Sequence, residues 1–240
     1  MAEVDLSSVE GVTGTSRNLT GYVARPSGNG PWPGVVVVHE LFGLDDVMRR
    51  QADHLASLGY LAVLPGLFSD GGARRCLVST FRAMAKGSGR PFNDIEASRH
   101  WLLAQDDCSG KVGVIGFCMG GAFALLTAKR GFDVAAPNYG ALPKDLQSAV
   151  TGACPVVASY GGKDVLRGSA AKLQRALTSA GVPNDVKEYP NAGHSFLNDA
   201  PAGPRWLQPV ERVLKVGPEP ASAADAWRRI DGFFREHLAA

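Results

Sequence analysis

Three glycines fall within the six residues Gly116-Phe117-Cys118-Met119-Gly120-Gly121, between an apolar run ending at Ile115 and a second one starting at Ala122. The first run has the length and β-branched content of a buried strand over 111–115. The second has the spacing of a helix over 122–129. Strand must therefore become helix across a very tight turn. Such a turn strains the backbone at its centre, and side chains at positions 116 and 120 would meet neighbouring backbone, which is why glycine stands there. A strand that passes so directly into a helix is half of a βα unit, and repeated units of that kind build parallel sheets.

The rest of the chain repeats the alternation. Pro26 to Pro33 is a loop no helix could cross, and it leads into Gly34-Val-Val-Val-Val-His39, a continuous run suited to a strand covered on both faces. A helix capped by Asp45 or Asp46 follows, with Met48, Ala52, Leu55 and Leu58 at helical spacing before Gly59. The pattern predicts a strand at 60–65, helices over 74–86 and 93–105, the strand and helix around the glycine turn, strands at 134–139 and 156–160, a helix over 169–180, a strand at 185–189 and a last helix over 223–237. No repeat or linker divides the chain, so residues 1–240 are expected to form one α/β domain: a doubly wound, mostly parallel sheet with helices on both faces. Ligands of such sheets sit at the strands' C-terminal ends.

Charge and composition narrow the function. The chain carries 25 basic and 23 acidic residues, and its basic doublets Arg49–Arg50, Arg74–Arg75 and Arg228–Arg229 are dispersed as solvated surface, so no nucleic-acid partner is expected. Glu3 and Asp5 stand where a secretory signal would be positive, and the strongest apolar run, 35–38, is too short to cross a bilayer. Cys76, Cys108, Cys118 and Cys154 include no Cys-x-x-Cys pair, and no His stands at zinc-ligand spacing, so neither a metal site nor a disulfide framework is indicated. A reducing cytoplasm is the expected setting, with no membrane association. The oligomeric state is open, and a monomer is compatible with the sequence.

Cys118 occupies the centre of the glycine turn, at the start of a helix whose dipole and free N–H groups favour negative charge. That is the context of a nucleophile elbow, with Cys in the place more often held by Ser. A buried structural cysteine is the plain alternative. A nucleophile of this type needs a base and an acid following it in the chain. Asp164, in Gly161-Gly-Lys-Asp164, and His194, in Asn191-Ala-Gly-His194, each follow a predicted strand, as Cys118 does. His39 ends a strand but precedes the nucleophile, and His54, His100 and His237 fall in predicted helices, which leaves His194 as the base.

With these residues in place, the chain resembles the dienelactone hydrolase family over nearly its whole length. The resemblance is carried by Gly-Phe-Cys-Met-Gly-Gly, His39-Glu40-Leu41-Phe42-Gly43 and Gly193-His194-Ser195-Phe196. It implies an α/β-hydrolase fold and hydrolysis of a small ester or lactone through an acyl-cysteine, with no cofactor or metal. It further implies that Glu40 contacts and helps activate the thiol, that the Leu41 and Met119 N–H groups form an oxyanion hole, and that Phe42 and Tyr139 line the pocket. A loop carboxylate facing water is the alternative for Glu40, and ordinary core packing for the two aromatics. Two arginines that hold the carboxylate of dienelactone in the family are absent, since Asp70 and Asn198 stand at those positions. Arg74, Arg75 or Arg205 could relocate the cation. A carboxylesterase or thioesterase acting on neutral acyl groups, and a binding protein of the same fold without turnover, are the other readings.

Overall fold

The computed structural model describes residues 2–203, 209 and 215–239, without the side chain of Arg74. Eight strands form one sheet. They are β1 (Ala2–Asp5), β2 (Thr20–Ala24), β3 (Trp32–Val38), β4 (Leu61–Pro65), β5 (Cys108–Phe117), β6 (Val134–Asn138), β7 (Val156–Gly161) and β8 (Asn184–Tyr189), in the order β1-β2-β4-β3-β5-β6-β7-β8. From β4 to β8 neighbours are parallel, while β1 and β2 extend one edge antiparallel. The helices are α1 (Asp46–Ser57), α2 (Gly72–Lys86), α3 (Arg90–Leu103), α4 (Met119–Thr127), α5 (Leu146–Val150), α6 (Ser169–Ser179) and α7 (Pro220–Leu238). The expected doubly wound, mostly parallel sheet is what forms.

Both faces of the sheet are buried, which explains the uninterrupted valines of β3. Val36 and Val38 pack with Phe92 and Ile95 of α3, Phe123 of α4 and Leu173 of α6. Val35 and Val37 point the other way, against Met48 and Leu55 of α1 and Ile230 and Phe234 of α7. Each face is a dry apolar layer, and burying a large apolar side chain contributes roughly 1.5–3 kcal/mol. The central strands are thereby fixed in register, and their C-terminal ends are presented side by side. Asp45 caps α1 through the Met48 N–H, as its sequence position suggests. Among the described residues no helix is long and apolar enough to cross a membrane.

Candidate active site

β5 ends at Phe117 and α4 begins at Met119, so Cys118 alone makes the turn, at φ 55° and ψ −116°. A side chain is rarely found there, and the surroundings enforce it. A Cβ on Gly116 would lie 1.9 Å from the Gly120 oxygen, and one on Gly120 would lie 2.0 Å from the Val38 oxygen. Turn, helix and the neighbouring strand therefore touch backbone to backbone. The Cys118 N–H donates to Asn138 O at 3.2 Å, and the partly exposed thiol stands at the N-terminus of α4. As the first residue of that helix, Met119 has no intrahelical acceptor for its N–H.

His194 is held just as firmly. Its N–H donates to Lys215 O at 3.1 Å, its own carbonyl accepts from Gly217 at 2.8 Å, and a Cβ on Gly193 would lie 1.5 Å from Lys215 O. Its Nδ1 lies 2.7 Å from Oδ2 of Asp164, whose side chain is 1% exposed and whose Oδ1 accepts the Leu166 N–H at 3.0 Å. Burial pushes the His194 pKa down, but the Asp164 carboxylate and the Cys118 sulfur overcome it and raise the value to about 10. The direction of that shift favours the imidazolium, with Nδ1–H directed at Asp164. Among the described residues, the non-glycine residues with positive φ are Cys118, Tyr139, Ser195 and Lys215. All four belong to this site or to the segment that braces it, so the backbone strain is concentrated here.

Glu40 follows β3 and is buried rather than facing water. Its carboxylate accepts from Ser195 Oγ at 2.8 Å and Asn198 Nδ2 at 3.1 Å, yet burial dominates and holds it above the usual carboxylate range. Asn198 thus occupies the place beside Glu40 with a neutral amide, itself in contact with Gln51 Nε2 at 3.4 Å. Tyr139 is fully buried. Its hydroxyl makes no hydrogen bond of good geometry to the described residues, and burial together with the charges of Glu40 and Cys118 keeps it un-ionised.

Leu41, Phe81, Met84, Cys118, Met119, Ala122, Tyr139, Ala141, Leu166 and His194 surround a cavity of about 110 Å³. The structure therefore brings Cys118, His194, Leu41, Met119 and Tyr139 to one hollow, with Asp164 and Glu40 behind it. Phe42 is placed elsewhere, packed over Gly203. Asp70 does not face the hollow either: it accepts the backbone N–H groups of Arg17 and Asn18 and pairs with Arg90 at 3.3 Å. Arg75 is exposed beside Gly71, while Arg205 and the Arg74 side chain lie outside the described residues. No cluster among the described residues could hold a metal ion.

Sequence reasoning passed over three contributors. Phe81 and Met84 stand three apart on α2, indistinguishable in sequence from core positions, and Ser195 follows His194 without a signal of its own. His39 was set aside for its position in the chain, but it is buried and bonded at both ring nitrogens, to Glu40 O at 2.6 Å and to the Leu67 N–H at 3.1 Å.

A family model described as "Dienelactone hydrolase family" matches residues 19–238. The chain belongs to the dienelactone hydrolase family. It is therefore a hydrolase of ester or lactone bonds, in the α/β-hydrolase fold that the sheet order already describes. It is 30% identical to the carboxymethylenebutenolidase of Rhodococcus opacus, over 90% of this chain and 86% of that one. The carboxymethylenebutenolidase of Pseudomonas putida is also 30% identical, over 72% and 78% of the two chains. A crystal structure from Klebsiella pneumoniae subsp. pneumoniae, provisionally named a dienelactone hydrolase, superposes with a TM-score of 0.78 at 25% identity, covering 98% of both chains.

Proposed function

We propose that this dienelactone hydrolase family member cleaves small esters or lactones through a cysteine-bound acyl intermediate, with Cys118 as nucleophile, His194 as proton carrier and Asp164 as its orienting acid. The observation that carries the reading is the Asp164–His194 pair at 2.7 Å, whose imidazole shares the walls of one apolar cavity with the strained Cys118.

In this mechanism the Cys118 sulfur attacks the carbonyl carbon, and the carbonyl electron pair moves onto oxygen. That oxyanion is received by the N–H groups of Leu41 and Met119, in a hollow with mostly apolar walls. The tetrahedral adduct collapses, the C–O bond breaks, and the leaving oxygen takes the proton from His194 imidazolium, leaving a thioester on Cys118. In a lactone the leaving hydroxyl stays tethered to the acyl group. Water then attacks the thioester while His194, now neutral, takes its proton. The second adduct expels the thiolate and releases the acid. Glu40, whose buried carboxyl is more basic than usual, is the further group that draws the thiol proton when the cavity fills.

The decisive experiment is burst release from a chromogenic ester, combined with peptide mapping after a thiol reagent. A burst with label on Cys118 is expected, together with losses on the order of 10²–10⁴-fold in turnover for His194→Ala and a smaller loss for Asp164→Asn, both folded. Label on Cys76, Cys108 or Cys154 with Cys118 untouched, or normal turnover in His194→Ala, would overturn the assignment.

A further inference from the structure

The cavity beside Cys118 has a larger neighbour. Met84, Ala122 and Ala141 also line a second hollow of about 580 Å³, so the two lie on either side of these three residues. The second hollow runs along α4 past Leu126 to the start of α5, and Leu142 and Pro143 also line it. Its rim carries Lys86, Lys129, Arg130 and Lys144 against the single carboxylate of Asp145. Among the described residues none of the four cations is in an ion pair. Lys129 donates to Ser148 O at 2.9 Å, and Arg130 donates to Gly87 O at 2.7 Å and lies 4.6 Å over the Phe92 ring. Lys86 and Lys144 are exposed.

Floor and rim therefore differ in chemistry. Next to the sulfur the walls are apolar, with Phe81, Met84 and Leu166, and the unbranched thioether of Met84 at the junction can adapt to a passing chain. Ala122 and Lys129, just past the end of α4, are seven positions apart, which at helical rise places Lys129 roughly 10 Å from Ala122. We propose that this second hollow is an extended substrate subsite, which takes an ester with an apolar arm ending in a carboxylate and holds that carboxylate at the Lys86–Lys129–Arg130–Lys144 rim. The proposal rests on the reading of Cys118 as the ester-cleaving nucleophile. A monoanion suits the rim better than a phosphate dianion, because Asp145 shares it. The site is distinct from positions 70 and 198, whose side chains are committed to Arg90 and to Glu40.

The test is kcat/KM for mono-p-nitrophenyl esters of succinate, adipate, suberate and sebacate, each beside the same ester with its free carboxylate methylated. The ratio of acid to methyl ester is expected to start below one and rise with arm length. For the longest arms it should favour the acid by roughly two- to tenfold, as exposed cation–carboxylate pairs allow, and should shrink with added salt. In the double variant Lys86→Gln/Lys144→Gln that ratio should fall toward one. A ratio below one at every length, or one that the double variant leaves unchanged, overturns the subsite while hydrolysis of the methylated series keeps the hydrolase reading. Absence of turnover for both series overturns both.

Discussion

The imidazole of His39 holds the carbonyl oxygen of Glu40 at 2.6 Å. In a planar trans peptide the carbonyl and the following N–H point in opposite directions, so this contact also sets the direction of the Leu41 N–H. The other ring nitrogen accepts the Leu67 N–H, tying the loop after β3 to the loop after β4. Together these contacts require the neutral Nδ1–H tautomer.

His39 is thereby a positioning residue for the proposed oxyanion hole. In His39→Ala, the buried Leu67 N–H and Glu40 oxygen lose their partner, a cost of about 1–3 kcal/mol per unsatisfied group. Turnover should fall on the order of tenfold, less than the 10²–10³ expected for deleting an oxyanion donor outright, with KM little changed. His39→Gln, which offers both a donor and an acceptor, should recover part of kcat. Full activity in the folded alanine variant would show that the Glu40–Leu41 peptide needs no such brace.

The two histidines at the site titrate in opposite directions. Burial depresses His39 from 6.5 to about 4, so between those values the unfolded chain binds a proton the folded chain refuses, and stability falls as pH drops through the window. His194 is raised to about 10, so its contribution is complete below pH 6.5 and is lost as pH rises toward 10. Denaturant unfolding across pH should show the acid-side loss diminished in His39→Gln and the alkaline-side loss diminished in His194→Gln. NMR titration of the His194 ring should give a pKa well above 6.5 that moves down in Cys118→Ala and further down when Asp164 is also replaced by Asn. A ring titrating near 6.5 in the unmodified enzyme would contradict the resting ion pair.

Tyr139 joins strain and an unsatisfied group at one position. Its φ is 39°, its hydroxyl is buried without a well-formed hydrogen bond among the described residues, and its ring lies 5.2 Å from that of His194. The hydroxyl has no surface of its own open to the cavity, so substrate reaches it when the site rearranges on binding. Tyr139→Phe removes the hydroxyl and keeps the packing, so it should raise stability by up to about 1–3 kcal/mol while lowering kcat/KM. A variant that is less stable and fully active would place the hydroxyl in the fold rather than in substrate binding.

The legible part of this protein was whatever local chemistry dictates. The valines of β3, the glycines around Cys118 and the strand-end positions of Asp164 and His194 follow from crowding and burial that no alternative conformation satisfies. Strands β1 and β2 were missed because their burial comes from distant partners: β2 pairs with β4, some 40 positions on, and β1 is covered only along one side. The predicted helix over 122–129 begins three residues earlier, because Gly120 and Gly121 are poor helix formers yet are packed against the Val38 and Asn138 backbone of other strands. Phe42 illustrates the limit for the pocket, since a loop aromatic after β3 can face either way and here it is packed over Gly203. His39 was legible as a strand-end residue but not as a brace, which depends on the Leu67 N–H lying beside it.

Among the described residues, no lysine or arginine lines the cavity beside Cys118. Position 198 is a buried amide hydrogen-bonded to Glu40, and position 70 is a carboxylate committed to Arg90 and to the 17–18 backbone. A compact substrate whose carboxylate sits next to its ester would bring that charge toward Glu40, with no lysine or arginine among the described residues lining the cavity to meet it. Each missing charge-assisted hydrogen bond is worth roughly 1.5–3 kcal/mol, so an unsaturated lactone carboxylate should be hydrolysed with a kcat/KM about two to four orders of magnitude below that of its methyl ester, less if water reaches the anion. The measurement is that pair of substrates at low and at high ionic strength. Added salt should change the gap little, because the Glu40 carboxylate is buried and buried charges are weakly screened. A preference for the carboxylate that weakens with salt would mean that a cation reaches the short substrate after all. That outcome would leave the Cys118 chemistry in place and remove the expected discrimination against compact anions, whereas the arm-length dependence proposed for the second hollow would still be decided by its own series.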